Sequence, residues 1–263
     1  MKYIQAILLM VLISACGSKA WNTDRQIDLG TVLPIGIAAD DTSYWISDGN
    51  NNTLFQYDFS GVEISKVEGF DRPMHISNGN GNIYVPEYGM DQISILKNGQ
   101  TSIMELADSL DAPAGVDVAG DDIAIADFYN HRILLKTGGT WKSIGKKGKG
   151  PKDFDYPTDV QFHDGLLYVA DAYNNRVKVL DQSGVVLNSF GQDEEINAAI
   201  GIYVSDKQVF VMDQDNDRVL IYNHKGILHQ TLDEGFDKPI DATMVGNEIF
   251  VLNFGGKNIQ VLK

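Results

Sequence analysis

Short apolar runs separated by polar turns follow one another along most of this 263-residue chain. A clear example is Leu167 to Ala170, which ends at Asp171 and is followed, after a polar turn, by the strand-like run Arg176 to Leu180. Runs of this length, rich in β-branched and aromatic residues and bounded by Gly, Asn and Asp, predict β-strands. Because no segment keeps a helical period for long, the pattern predicts an all-β fold.

One unit of this pattern recurs six times. Each copy ends an apolar run at an acidic or amide position, and these positions form the acidic column: Asp48, Glu87, Asp127, Asp171, Asp213 and Asn253. A second column, the proline column, lies fourteen residues earlier in every copy: Pro34, Pro73, Pro113, Pro157, Ala199 and Pro239. Four short strands in about 40–45 residues correspond to one blade of a β-propeller, so the repeat predicts six blades.

The two ends of the chain predict how the ring closes. The sixth copy has three strands before the sequence ends, whereas the stretch Trp21 to Leu29 precedes the first copy. We expect this stretch to pair beside Ile259 to Leu262, because that pairing removes an open strand edge. The predicted fold is an all-β, six-bladed β-propeller of four-stranded antiparallel blades over residues 21–263, closed by an N-terminal strand that completes the last blade.

The best-preserved copies resemble the NHL repeat. The resemblance lies in Tyr168 to Asp171 with Asn174 and Arg176, and in the inter-blade stretch 145–154. It is strong in the three middle copies, whereas the first, second and sixth carry Thr53, Gln92 and Asn258 in place of the arginine. The resemblance covers nearly the whole predicted domain and implies a six-bladed propeller.

The first residues predict an export signal. Lys2 precedes the apolar run Ile4 to Ile13, which is too short to span a membrane but suits a signal peptide. The following small residues and Cys16 resemble the bacterial lipobox, which implies a signal peptide over residues 1–15 and a lipidated Cys16 at the start of a tether over residues 16–20. The alternative is a buried structural cysteine. We expect a lipid-anchored protein of the cell envelope, in the outer membrane if the host has two membranes.

The predicted tether is short, and the predicted domain is acidic. From Cys16 to Trp21 the chain spans less than about 20 Å even when extended, so the propeller should lie close to its membrane. The formal charge is −15, from 36 acidic and 21 basic side chains. This excess argues against nucleic acid as a partner and against electrostatic docking on anionic lipid.

The column two residues after the proline column contains the main candidate metal ligands. It consists of Gly36, His75, Gly115, Asp159, Gly201 and Asp241. Glycine suits a crowded innermost strand, and the three exceptions fall in alternate blades, which places them around the channel with approximate three-fold symmetry. His75, Asp159 and Asp241 can therefore bind a divalent metal at the channel mouth. The alternative is that these side chains bind only water.

The NHL resemblance supplies a precedent for such a metal. NHL-like propellers include a peptidyl-hydroxyglycine lyase with a zinc ion in its channel. That lyase uses several histidine ligands, whereas this chain has only His75 at the equivalent level.

A second set of candidate residues lies in the loops that follow the acidic column. Aromatic residues with polar groups beside arginine favour ligand or partner binding, although packing between neighbouring loops is the alternative. The candidate ligand-binding residues are Tyr88, Tyr129, Arg132, Tyr173, Arg176 and Arg218. The acidic column itself is expected to be structural, because buried carboxylates need partners such as backbone N–H groups or the arginine five residues later.

These observations predict a cell-envelope lipoprotein that binds a ligand or protein on the channel face, with no catalysis implied. The alternative is a metal-dependent lyase or hydrolase centred on His75, Asp159 and Asp241. Propellers host both functions, so the fold cannot decide between them. Convergence of the three side chains in space would favour the alternative.

Overall fold

The computed structural model describes residues 20–263. The predicted signal peptide and Cys16 lie outside the described residues. Within 20–263, 24 strands form six four-stranded antiparallel sheets, and the innermost strand of each sheet contacts those of its two neighbours, which closes a ring. No helix in this part of the chain is long and apolar enough to cross a membrane.

Each sheet is one blade of the propeller. Strand β1 is Thr23–Asp28. Blade 1 contains β2 (Pro34–Ala39), β3 (Ser43–Asp48), β4 (Thr53–Asp58) and β5 (Glu63–Glu68). Blade 2 contains β6 (Ser77–Gly79), β7 (Asn82–Glu87), β8 (Gln92–Lys97) and β9 (Gln100–Ile103). Blade 3 contains β10 (Pro113–Ala119), β11 (Asp122–Asp127), β12 (Arg132–Thr137) and β13 (Thr140–Ile144).

The remaining blades follow the same order. Blade 4 contains β14 (Pro157–His163), β15 (Leu166–Asp171), β16 (Arg176–Asp181) and β17 (Val186–Phe190). Blade 5 contains β18 (Ala199–Val204), β19 (Val209–Asp213), β20 (Arg218–Tyr222) and β21 (Leu228–Leu232). Blade 6 contains β22 (Pro239–Val245), β23 (Glu248–Asn253) and β24 (Asn258–Leu262), with β1 as its outer strand. Two short 3-10 helices, Ala172–Asn174 and Gln214–Asn216, follow β15 and β19.

The two sequence columns mark the ends of strands. The second strand of every blade ends at the acidic column, and the first strand begins at the proline column in every blade except blade 2, where Pro73 forms an isolated bridge with Glu87. In the other five blades a register shift follows the proline-column residue, as between Pro157 and Asp159. Such bulges re-aim the side chains that follow them.

The ring closes as the sequence predicts. Strand β1 pairs antiparallel with β24, with Ile27 opposite Ile259. Trp21 and Leu29 at the two ends of this segment are buried, and the Trp21 ring meets Phe210 edge-on at 5.6 Å between centroids. The predicted six-bladed propeller and its N-terminal closing strand are therefore confirmed.

The hydrophobic core lies between the blades. Each of six buried clusters joins two successive blades, as where Ala124 of β11 packs with Val169 of β15. Both faces of each blade are covered, which explains why the inner strands are apolar on both sides.

The loops divide between two faces of the ring. We call the face with the second-to-third-strand loops and the inter-blade loops the loop face. The opposite face, with the turns between first and second strands and between third and fourth strands, is the turn face.

Candidate functional site

The acidic column fastens the inter-blade loops to the blades. Asp127 Oδ1 accepts a hydrogen bond from the backbone N–H of Asp111 at 2.8 Å, and Asp171 Oδ1 accepts one from Asp155 at 2.8 Å. Both acceptors are fully buried. The same contact, sixteen residues back along the chain, occurs in blades 2, 5 and 6. The column is thus structural, as expected from the sequence.

Three predicted arginines support the same loops. Each donates from Nε to the acidic residue five positions earlier, as Arg132 to Asp127 at 2.7 Å, Arg176 to Asp171 at 2.7 Å and Arg218 to Asp213 at 2.6 Å. Their remaining nitrogens donate to inter-blade loop carbonyls, including those of Ser109, Gly150 and Glu194. The structure therefore places each guanidinium between the acidic column and an inter-blade loop of its own blade, where it holds the two together.

The predicted tyrosines meet in one cluster on the loop face. The aromatic cluster consists of Tyr88, Phe128, Tyr129, Tyr156 and Tyr173, from blades 2 to 4. Ring centroids are 5.7 Å apart for Tyr88 and Tyr129, 4.7 Å for Phe128 and Tyr156, and 4.9 Å for Tyr156 and Tyr173. Tyr129 and Tyr173 are 48% and 58% exposed. The rings thus form a continuous surface instead of separate loop contacts.

Tyr156 also belongs to the cluster, although the repeat pattern does not single it out. It precedes Pro157 in an inter-blade loop, and its backbone has a left-handed φ of 52°. The backbone N–H of Tyr156 donates to Nδ1 of His131 at 3.1 Å, and the two rings lie 4.2 Å apart. The sequence feature that could have identified Tyr156 is its position one residue before the proline column, where loops approach the channel.

Cationic groups flank the aromatic cluster. The guanidinium of Arg72 lies 4.8 Å from the ring centroid of Tyr88, and Nζ of Lys147 lies 5.5 Å from that of Tyr156. Both are cation–π distances. Burial and the charge of Lys147 lower the pKa of His131, so its ring is neutral at pH 7. Burial and the neighbouring Tyr129 raise the pKa of Tyr88.

The predicted metal ligands converge in the channel. His75, Asp159 and Asp241 each offer a ligand atom, and the three atoms lie within 4.8 Å of one another. We call this group the channel triad. The residues are 2%, 7% and 4% exposed, so the triad is buried inside the channel and not at its mouth, where the sequence placed it. Nδ1 of His75 lies 3.5 Å from Oδ2 of Asp241 but makes no hydrogen bond within residues 20–263.

The two carboxylates of the triad also link blades. Asp159 accepts hydrogen bonds from the backbone of Val160 and, across to blade 5, of Ile202, both at 2.8 Å. Asp241 accepts from Ala242 at 2.8 Å and, across to blade 1, from Ile37 at 2.9 Å. A carboxylate has about four lone-pair sites, so each retains capacity for a further ligand.

Close packing explains why glycine alternates with the triad. A Cβ at Gly36 would lie 2.7 Å from Cα of His75, and one at Gly201 would lie 2.1 Å from the carbonyl oxygen of Ile240. Gly115 meets blade 4 in the same way. Side chains at this level are therefore possible only in alternate blades, and these are the blades that supply the triad.

The channel environment favours the protonated forms of Asp159 and His75. Burial raises the pKa of Asp159 to about 7, with the charge of His75 opposing the rise and that of Asp241 adding to it. Burial alone lowers the pKa of His75, but Asp241 and the more distant charge of Asp159 outweigh burial and raise it. A bound cation would displace these protons, so its affinity would depend on pH.

A cavity leads from the triad towards the turn face. It has a volume of about 150 Å³, and Asp159 and Asp241 form part of its wall. Its lining continues along the innermost strands to Ala39, Asn78 and Tyr203, which also line a wider depression of about 650 Å³ among the turns. The triad thus lies inside the channel, at the end of this cavity that is farther from the turns.

Comparisons with known proteins identify the repeat. Residues 154–180 match the NHL repeat model, and this range covers the first three strands of blade 4 except the last residue of the third. Two relatives, the NHL repeat-containing protein 2 of Gallus gallus and of Homo sapiens, are each 32% identical over 102 residues. The match covers 35% of this chain but only 13% of each relative.

Solved structures share the fold. A gluconolactonase of Xanthomonas campestris superposes with a TM-score of 0.74 at 14% identity, covering 90% of this chain and 89% of that chain. A streptogramin B lyase superposes with a TM-score of 0.67 at 20% identity, covering 92% of this chain and 86% of that chain. The virginiamycin B lyase of Staphylococcus aureus, solved with quinupristin, gives 0.68 at 18%, covering 92% and 85%. At these identities the likeness concerns the fold alone.

The class follows from these findings. The protein is a six-bladed β-propeller of four-stranded antiparallel blades. It carries an NHL repeat in its fourth blade, so the resemblance seen in the sequence is confirmed.

Proposed function

We propose that the protein is a cell-envelope lipoprotein that binds a ligand or protein partner through the aromatic cluster on its loop face. The observation that carries this proposal is the continuous contact of five rings, two of which are about half exposed. Tyrosine offers a large contact area with few rotatable bonds, so its ordering on binding costs little entropy. Rings that already fix one another lower that cost further.

The binding test compares matched exposed residues. The double variant Tyr129→Ala/Tyr173→Ala removes the exposed part of the cluster, and Ile103→Ala, at a residue 64% exposed on β9, serves as control. Immobilised oligosaccharides and peptides are the probes. We expect a probe class that binds wild type and the control equally and loses at least about tenfold in affinity with the double variant, as for central aromatic contacts. Equal binding by all three proteins, or no binder at all, would contradict the proposal.

The anchor has its own test. Replacing Cys16 by Ser should release the protein from membranes, because acyl chains on this residue would supply the attachment. The assay is membrane sedimentation together with incorporation of labelled fatty acid. A Cys16→Ser variant that still sediments and still takes up the label would refute lipidation at this residue.

A second candidate function is metal-dependent lyase or hydrolase chemistry at the channel triad. The convergence of His75, Asp159 and Asp241, with Nδ1 of His75 lacking a hydrogen bond, favours it. Zinc ligands at 2.0–2.2 Å lie about 3.4 Å apart in a tetrahedral site. The 3.5 Å between Nδ1 and Asp241 Oδ2 already matches that spacing. The most distant pair of ligand atoms would have to approach by about 1.4 Å.

The donor set also limits the metal. Two carboxylates balance a dication, and an imidazole favours zinc or manganese over calcium. Such an ion would polarise a bound water or substrate oxygen. Metal analysis of purified protein and melting curves with each ion test the site. Zinc or manganese should raise the melting temperature of wild type by mass action and leave Asp159→Asn/Asp241→Asn unchanged.

Asp117 supplies the matched control for the metal test. It lines the same cavity and accepts two backbone hydrogen bonds, from Val118 and Phe162, but lies outside the triad. The Asp117→Asn variant should keep the metal response. If purified protein carries no metal and no ion shifts the wild-type melting curve, only the binding function remains.

A further inference from the structure

Exposed apolar side chains gather on the outer rim of the turn face. Ten large apolar or aromatic residues are exposed among residues 20–263, and six of them belong to this rim. The apolar rim consists of Phe59, Val62 and Ile64 of blade 1, Val185 and Leu187 of blade 4, and Ile227 of blade 5. Scattered exposed apolar residues are ordinary, but a set confined to three blades of one face indicates a contact surface.

The same turn builds the rim in all three blades. The segments are 58–62, 181–185 and 223–227, each beginning with Asp or Asn and ending with Gly followed by Val or Ile. In the first, Asp58 Oδ1 accepts backbone N–H groups of Ser60 at 2.8 Å and Val62 at 3.0 Å. The second and third turns repeat this pattern. The apolar tip is therefore held in place by the turn.

Blades 2 and 3 lack this device. Their third and fourth strands join through shorter turns, 98–99 and 138–139, and polar Gln100 and Thr140 follow the glycine. The three blades that carry the rim lie around blade 6. Blades 5 and 1 are its two neighbours, and blade 4 lies next to blade 5. The apolar rim thus flanks blade 6 on both sides.

Blade 6 is where the N-terminal chain joins the propeller. Trp21 donates from Nε1 to Gln208, in the first turn of blade 5, at 2.7 Å. Asn22 and Lys263 exchange backbone hydrogen bonds of 3.1 and 2.9 Å at the turn-face end of β24. The chain therefore leads into the ring on the turn face, between the blades that carry the rim. From Cys16 to Trp21 it can span less than about 20 Å.

We infer that the turn face rests on the lipid surface, with the apolar rim in the headgroup region and the aromatic cluster directed away from the membrane. This inference rests on the proposed anchor at Cys16. Amphipathic helices that lie on membranes bury their apolar side about 5–10 Å into the headgroup boundary, and we expect the rim to enter to a similar depth. Because turn-face residues such as Asp41 and Asp164 are acidic and the chain carries a charge of −15, zwitterionic headgroups fit better than anionic ones.

Lipid quenching tests this orientation. With Cys16 acylated, an introduced cysteine is the only free thiol, so variants of the full chain with one introduced cysteine can each carry one fluorophore. Ile227→Cys and Leu187→Cys report the rim, whereas Tyr173→Cys and Ile103→Cys report residues that are equally exposed but lie elsewhere. Each labelled protein is reconstituted into phosphatidylcholine vesicles whose acyl chains are brominated near the headgroup.

We expect the two rim labels to lose most of their fluorescence and the other two to retain it. In the background Val62→Ser/Val185→Ser/Ile227→Ser, the Leu187→Cys label should recover its fluorescence while acylation keeps the protein on the vesicles. Equal quenching at all four positions, or quenching at Tyr173→Cys alone, would overturn the inference. Dimerisation through the rim in detergent, seen by sedimentation and abolished in the serine background, would also overturn it, because a second copy would then be the occupant.

The mass of the N-terminal peptide separates this inference from the proposed anchor. An unacylated Cys16 refutes the anchor and, with it, the orientation. An acylated Cys16 with unquenched rim labels refutes the orientation alone.

Discussion

Replacing Asp159 by Asn should remove a large part of the pH dependence of stability between pH 5 and pH 8. Burial raises the pKa of this carboxyl from 3.8 to about 7 in the folded protein. Between these values the folded state binds more protons than the unfolded state, so the free energy of unfolding falls as pH rises. Integrated from pH 5 to pH 8, the loss in wild type is about 3 kcal/mol. Asparagine cannot ionise, so the variant escapes this loss.

A second effect acts against the variant at every pH. The carboxylate accepts N–H groups from Val160 and Ile202, whereas the amide of Asn has only one acceptor oxygen. One buried N–H then loses its partner, which costs about 1–3 kcal/mol. This offset is independent of pH. The prediction therefore concerns the free energy of unfolding of the variant minus that of wild type. This value should rise by about 3 kcal/mol from pH 5 to pH 8.

Urea unfolding of both proteins at pH 5 and at pH 8, with a chelator present, measures the difference in their free energies of unfolding. Asp117→Asn is the comparison variant, because burial raises the pKa of Asp117 to about 6, which predicts a shift about half as large. Parallel pH profiles for wild type and Asp159→Asn would refute the reasoning, since Asp159 would then ionise in the folded state as easily as in the unfolded one. The reasoning would also be refuted if wild type gained stability relative to the variant from pH 5 to pH 8.

Three further changes test the architecture. Deleting Trp21 to Leu29 should lower the melting temperature, because it exposes the edge of β24 and removes buried apolar area; a cooperative melt at the parent temperature would contradict the closure. Gly201→Ala should destabilise more than Gly246→Ala in urea unfolding. The first places Cβ 2.1 Å from a carbonyl of blade 6, whereas the second meets open space and carries only the left-handed cost of about 1–2 kcal/mol; equal losses would argue against tight packing at the channel. Asp171→Ala should cost about 3–5 kcal/mol, since it leaves Arg176 without its buried partner, and a loss below 1 kcal/mol would show that the loop does not need this ion pair.

The interior of the channel shows where prediction from sequence ended. The column of His75, Asp159 and Asp241 could be identified because the repeat assigns every blade the same register. The burial of these three side chains could not be predicted, because it depends on how closely the six innermost strands approach one another. The ligand atoms of the three residues lie within 4.8 Å of one another, although His75 and Asp241 are 166 positions apart in the sequence. Only the closure of the ring sets such a distance.

The loop face shows the same limit. Tyr88, Tyr129 and Tyr173 could be selected because they lie one or two residues after the acidic column. The involvement of the three arginines in loop support could be anticipated only in part, since their contacts with Asp were expected but those with the inter-blade carbonyls were not. Tyr156 could not be selected in the same way, because the rings that it contacts, those of Phe128, Tyr129 and Tyr173, belong to loops of two different blades.

The number of blades, the ends of most strands and the strand that closes the ring could all be predicted from the amino-acid sequence. These features depend on local patterns: apolar alternation, a proline at a strand start, an acidic residue at a strand end, and a missing strand at one terminus matched by a spare one at the other. Which side chains share the channel, which rings touch, and that the apolar turns flank the blade where the N-terminal chain enters became visible only in the folded protein. Those relations join residues from different blades, and their distances are set by the packing of one blade against the next.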